Sequence, residues 1–239
     1  MELAETVTRA IVPPSFEAEG GNAAMITRRD MLAGVGAGLG VAALSAFAFA
    51  RRDSRLGPGY QFGEVGAPVP GSEMPCTAGT LTSSEPEGPF YTPSAPKRRD
   101  IRDPGVSVGV LVLTGRVLDT RCRPLAGAVL DFWQTDHNGV YDNQGYRYRG
   151  HQYTDVDGRF QLVTVLPQAY TAISIFRTPH LHVKVQGADT PLLTTQLYLP
   201  DAEETNARDL GYQPSLALRY TERDNSSRGA TFDFVLARG

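Results

Sequence analysis

From about residue 104 onward the chain is built of short runs that alternate apolar with polar positions, rich in β-branched and aromatic residues and cut apart by Gly, Asp, Asn or Pro. A period of two is the period of a strand, because successive side chains point to opposite faces. The texture therefore predicts an all-β domain, an antiparallel β-sandwich with long loops and little helix. Candidate strands cover residues 108–117, 128–134, 152–154, 159–163, 180–185, 194–199 and 231–236. The stretch "LTGRVLDTRCRPLAGAVLDFWQTD" reads as strand, turn, strand, and "DVDG" at 155–158 as the turn of a second hairpin. One short helix is expected in "PDAEETNARDLGY", with Asp201 as its cap. On its scaffold alone, the chain could be an exported binding or structural sandwich of the transthyretin or adhesin kind.

Two segments precede that domain. Residues 1–50 end in "TRRDMLAGVGAGLGVAALSAFAFA", a paired arginine followed by twenty uncharged residues, which reads as a targeting segment. It resembles a twin-arginine export signal, carried by Arg28, Arg29 and Leu32, with Met25 as the expected start of translation. The expectation is a periplasmic or secreted protein, held to the membrane only through that signal if it is not cleaved. Residues 51–75 are dense in Gly and Pro and read as a linker, leaving 76–239 as the folded domain. Its first part, up to residue 103, reads as an arm lying on the sandwich, with "PFY" at 89–91 as its apolar knot. A formal net charge of −3 gives no nucleic-acid footprint. Cys76 and Cys122 are too few for a disulfide framework, but outside the cytosol they are expected to form one bridge.

Chemistry enters with "PHLHVKV" at 179–185, which holds two of the four histidines of the chain. On a strand His180 and His182 share one face, and two neutral imidazoles are a good start for a transition-metal site. An exposed His-x-His on a solvated sheet is the plainer reading, so further ligands have to be found. Tyr141 follows a Gly-containing turn in "HNGVYDN", and Tyr170 precedes the histidine strand in "LPQAYTAISIFRTPHLH". Tyr146, Tyr148 and Tyr153 compete with Tyr141, and the Gly139-x-Tyr141 context favours the latter. Asp136 and Asp142 could instead complete a two-His, one-carboxylate site for Fe(II). His137 and His151 read as surface or rim residues, and Trp133 as core.

Taken in order, "EGPFY", "RRDI", "GRVLDTRCRPLAGAVLDFWQTDHNGVY", "TDVDGRFQL", Pro167-x-x-Tyr170, "RTPHLH" and "TTQLY" resemble the intradiol ring-cleavage dioxygenases, the catechol and protocatechuate dioxygenase family. The resemblance spans about residues 76–209. It implies one non-haem Fe(III) per chain, held by Tyr141, Tyr170, His180 and His182, with Tyr170 leaving when a catechol-type substrate arrives. It implies cleavage with O2 between the two hydroxyl-bearing carbons, giving a cis,cis-muconate-type diacid. Arg177 aligns with an arginine that stabilises charge building on the ring, and Gln196 with a glutamine kept near the iron. The ligand choice is chemically coherent. A free phenol titrates near pH ~10, so tyrosinate at neutral pH requires a strongly Lewis-acidic ion. Zinc prefers Cys, His and carboxylate. The nine residues between Tyr170 and His180 are few for the family, which leaves the particular catechol open. No extra helical dimerisation segment is visible, and a homo-oligomer is compatible with the sequence.

Overall fold

The computed structural model describes residues 76–239 apart from 108, 173 and 224–226, so the expected export segment and linker lie outside the described residues. Eleven strands, one α-helical turn and one 3-10 turn (Pro214–Leu216) are described: β1 (Val110–Asp119), β2 (Val129–Gln134), β3 (Arg149–Tyr153), β4 (Arg159–Val165), β5 (Tyr170–Ala172), β6 (Ile175–Arg177), β7 (His180–Gln186), β8 (Leu193–Tyr198), α1 (Glu203–Asn206), β9 (Arg219–Arg223), β10 (Ser227–Thr231) and β11 (Phe234–Leu236). One sheet runs β3-β2-β7-β8, antiparallel throughout. The other is centred on β1, which pairs antiparallel with β4 on one edge and parallel with β10 and then β11 on the other. The expected single strand at 231–236 is thus two strands. Gly115 marks the break, because a Cβ there would meet the Phe232 carbonyl oxygen at 1.8 Å. The two sheets enclose one core, in which Leu111, Leu113, Phe160, Leu162 and Phe234 face Leu130, Phe132, Leu181, Val183 and Val185. This is the β-sandwich expected from the alternation.

The connections differ from the expected hairpins. β1 and β2 lie in opposite sheets, and so do β3 and β4, which makes "DVDG" a corner between layers. Its turn chemistry is as expected: Asp155 Oδ1 accepts the N–H of Asp157 and of Arg159 at 2.9 and 2.8 Å. α1 forms where predicted, but Asp201 does not cap it. Ala202 holds the cap position without a side-chain bond, while the Asp201 carboxylate takes the Tyr220 hydroxyl at 2.7 Å and the Arg228 guanidinium. A tertiary ion pair has outcompeted the local cap.

The strand that carries the His-x-His is buried on both faces. Leu181, Val183 and Val185 enter the core, while His180, His182, Lys184 and Gln186 face the other way and are each no more than 6% exposed. The cover is the arm. Glu85 N–H donates to the Thr194 carbonyl and Thr195 Oγ1 to the Ser83 carbonyl, so the arm runs along β8. Glu87 pairs with Lys184, and Tyr91 Oη donates to Asp131 Oδ2 at 2.8 Å. Farther on, Ile101 enters the core with no exposed surface. A Cys76–Cys122 disulfide fastens the start of the arm to the turn after β1.

That turn is organised by Asp119, 1% exposed, which accepts the N–H groups of Arg121 and Arg123 and the Nε–H groups of Arg123 and Arg238. Burial alone would raise its pKa. The Arg123 and Arg121 hydrogen bonds outweigh burial and hold the carboxyl well below the usual range. Its stabilisation is therefore fully present above the unfolded value of ~3.9 and fades as pH falls toward the folded value. Asp119→Asn is expected to lower the melting temperature by several degrees at pH 7 and by clearly less at pH 3, in thermal scans at the two pH values. Reducing the disulfide, whose partners lie 46 residues apart, should cost about 4 kcal/mol on the chain-entropy model. A urea midpoint that does not move with reductant would contradict it.

Candidate metal centre

The two histidines project from β7 toward the arm. His180 Nδ1 lies 2.6 Å from the Thr178 carbonyl, which can only accept, so Nδ1 carries the proton and Nε2 keeps its lone pair. That Nε2 is 3.1 Å from His182 Nε2. The His182 plane is fixed by Trp133, whose ring stacks on it at 4.7 Å and 6°. Trp133 is buried as expected, but on the arm side of β2 and against Tyr91, not in the sandwich core.

Both tyrosines arrive on loops laced to each other. Asp136 Oδ1 accepts the N–H of Asn138 and Val140 and so folds the 136–141 turn. Thr135 Oγ1 donates to the Gln168 carbonyl at 2.9 Å, tying that turn to the segment before Tyr170. Gly139, at φ +78°, is the contact point, since a Cβ there would lie 2.5 Å from the Ala169 carbonyl oxygen. The result is a near-perpendicular Tyr141–Tyr170 pair with centroids 5.3 Å apart. Tyr141 is 6.2 Å from the His182 ring and Tyr170 is 5.6 Å from the His180 ring. Phe90 of the arm closes the group, stacked on Tyr141 at 4.5 Å and edge-on to Tyr170 at 5.9 Å. Tyr170 begins a small β5–β6 ribbon that joins neither sandwich sheet, a feature the sequence reading placed as plain loop.

The four side chains fit a metal ion by their own chemistry. Tyr141 Oη is buried with no hydrogen-bond partner of good geometry, a costly arrangement in a protein interior, and His182 turns Nε2 toward His180 Nε2. Burial, followed by the Arg177 charge, pushes His180 down to about 4, and burial with His180 beside it holds His182 well below the usual imidazole range. Burial, reinforced by Tyr170, pushes Tyr141 well above the usual phenol range, and burial raises Tyr170 as well. The pocket by itself thus favours neutral imidazoles, ready to ligate, and neutral phenols, which only a strong cation would deprotonate. The carboxylate alternative fails on geometry. Asp136 is consumed by its own turn, and Asp142 accepts the N–H of Gln144, Gly145 and Arg147. Among the described residues no group of three or more His, Cys, Asp or Glu could hold a metal.

Around the centre, Arg177 Nε donates to Asp209 Oδ2 at 3.0 Å and its Nη2 to Gln196 Oε1. Gln196, fully buried and opposite His182 in the ladder, also donates to the Pro86 carbonyl at 2.9 Å. Both candidates thus lie in the structure beside the histidine strand. Of the competing tyrosines, Tyr146 bonds to the Pro93 carbonyl and Tyr153 packs with Val129 in a separate small cluster. Tyr148 is buried with Arg147 over its ring. His137 is exposed, and His151 Nδ1 holds the Ala95 carbonyl of the arm.

A family model described as "Dioxygenase" matches residues 86–238, well over half of the chain. The chain belongs to this dioxygenase family. Its relatives include the 6-chlorohydroxyquinol 1,2-dioxygenase of Cupriavidus pinatubonensis, 29% identical in an alignment of 171 positions that covers 62% of each chain. The hydroxyquinol 1,2-dioxygenase of a Rhizobium species is 28% identical over 63% of each. The chain therefore spans less than two thirds of these relatives. Among solved structures, the dioxygenase domain of a dioxygenase carbohydrate-binding protein fusion from Streptomyces sp. SirexAA-E is 39% identical, with a TM-score of 0.61, over 67% of this chain and all of that one. The 3-chlorocatechol 1,2-dioxygenase of Rhodococcus opacus is 27% identical, with a TM-score of 0.61, over 66% of this chain and 73% of that one. Membership favours the intradiol resemblance over the non-catalytic sandwich.

In this family member the Gly139 contact gives a test that leaves every candidate ligand in place. Gly139→Ala must push the 136–141 turn away from Ala169 and so part the two phenols. The expected outcome is at least a tenfold loss of iron affinity by metal titration, on the order of the loss seen when groups supporting metal ligands are removed. Retention of full affinity would show that the loop contact is incidental.

Proposed function

We propose that this protein is a non-haem Fe(III) intradiol dioxygenase that opens a catecholic ring with O2 to a cis,cis-muconate-type diacid. The observation that carries the reading is the convergence of the Tyr141, Tyr170, His180 and His182 rings, with no group of three or more His, Cys, Asp or Glu among the described residues to offer a rival site. The hydroxyquinol, chlorohydroxyquinol and chlorocatechol after which its relatives are named agree with it.

Ferric iron bound there would draw electron density from a chelated catecholate and so make a ring carbon reactive toward O2. The residues of the chain do the rest. Tyr141, 7% exposed and pinned through the Gly139 turn, is the fixed phenol. Tyr170 is less buried and rides on the small ribbon, and in the phenolate form that bound iron would favour, its Oη would be placed to accept a catechol proton. His180 is kept in one tautomer by the Thr178 carbonyl. Arg177 supplies a fixed cation beside the ring, where negative charge gathers as the bond to oxygen forms. Phe90 and the rest of the arm exclude water from the reacting face.

An exported location is part of this proposal. The arginine-paired signal motivates it, and the Cys76–Cys122 bridge supports it, since such bonds persist in oxidising compartments. Folding before export would let the site close around its metal ahead of translocation.

Aerobic incubation of iron-loaded protein with a panel of catechol, substituted catechols, protocatechuate and hydroxyquinol tests the activity, with products identified by mass. Acyclic diacids carrying both oxygen atoms of O2 are expected. Yellow semialdehydes, or unchanged substrate across the panel, would refute the reading.

A further inference from the structure

Arg177 has a mechanical problem. It closes β6, a three-residue strand whose ladder partner among the described residues is the equally short β5, and Ile175 at the other end of β6 is 62% exposed. A guanidinium on such a ribbon would point where the ribbon drifts. A cation that acts on a transition state has to be aimed, because a displacement of about 1 Å can cost a factor on the order of a hundred.

The aim comes from outside the ribbon. Asp209, beyond α1, has a side chain only 1% exposed. Its Oδ2 and Oδ1 accept the Arg177 Nε–H at 3.0 and 3.3 Å. Oδ2 also accepts the Thr178 N–H at 2.9 Å, and Oδ1 the Gly211 N–H at 2.8 Å. The same carboxylate therefore grips two consecutive residues, and Pro179 alone separates the second from His180. Thr178 is held again by its hydroxyl, which donates to Asn206 Oδ1 at 2.6 Å, while Asn206 Nδ2 donates to the Leu199 carbonyl. The 206–211 segment is in this way moored to the end of β8 and stiff enough to serve as an anchor. Gly211 completes the fit: a Cβ there would sit 3.3 Å from Arg177 Nη2. On the far side Gln196 Oε1 receives Nη2 and the Tyr198 hydroxyl, so the guanidinium is clamped between two buried acceptors.

We infer that Asp209 is a positioning residue of this centre, acting through Arg177. Its hydrogen bonds go to Arg177, Thr178 and Gly211, none of them a candidate metal ligand. It directs the cation and balances its charge while the site is empty. The inference rests on the ring-cleavage reading above, so cleavage by the unsubstituted protein, measured in the same assay, separates failure of that reading from failure of this one.

A double-mutant cycle decides the matter, with Asp209→Asn, Arg177→Lys and their combination all iron-loaded. Asp209→Asn is expected to lower kcat by roughly 10- to 100-fold with a smaller change in KM. Iron content and the visible spectral change on adding 4-nitrocatechol should stay as in the unsubstituted protein. In the Arg177→Lys background the same substitution should cost less than about threefold, because the group it aims is already gone. An equal loss in both backgrounds would mean that Asp209 acts independently of Arg177, and an unchanged kcat in the single variant would mean that it does not act at all. Either result overturns the inference. If Asp209→Asn does not fold, the cycle is run with Asp209→Glu, which keeps the charge, and the same two results decide.

Discussion

The centre depends on one packing fact: β7 is buried on both faces. A strand that alternates Leu181, Val183 and Val185 with His180, His182 and Lys184 would normally show its polar face to water. Here the arm covers that face, and the imidazoles lose their solvent. Burying a polar group without a partner is expensive, so the covered face has to supply partners of its own. The Thr178 carbonyl serves His180, and the Glu87 carboxylate serves Lys184. Tyr141 Oη is left over, in a group of four side chains that burial holds neutral. A highly charged cation is the ligand that turns this arrangement from a cost into a gain.

The arm is more than a lid in this account. It begins at the disulfide, lies along β8, places Phe90 on both tyrosines and ends with Ile101 in the core. A single segment thus joins global stability to the shape of the site. The same economy appears on the opposite wall, where Thr178 and Asp209 link the Arg177 cation, the α1 segment and the His180 tautomer through four hydrogen bonds.

Much of this was legible in the chain itself, for a physical reason. Strand period and turn chemistry are local, so the alternation located β1, β2, β4, β7 and β8 to within about two residues, and same-face spacing paired His180 with His182. Sheet membership is not local. Nothing in "DVDG" says that its flanking strands belong to different layers, and nothing near Asp201 says that Tyr220 and Arg228 will claim its carboxylate. Trp133 read as core because burial was predictable and the side of the sheet was not. Asp209 carried no signal at all, since its role exists only once Arg177, Thr178 and Gly211 have been brought around it by tertiary contacts.

The proposed centre, two phenolates and two imidazoles around one ferric ion, can be read by spectroscopy. Resonance Raman spectroscopy of the iron-loaded protein, excited in its visible band, reads iron-bound tyrosinate directly. Tyrosinate modes should be strong in the unsubstituted protein and weakened in both Tyr141→Phe and Tyr170→Phe. Iron held at full occupancy with no tyrosinate modes, or with modes indifferent to both substitutions, would contradict the account.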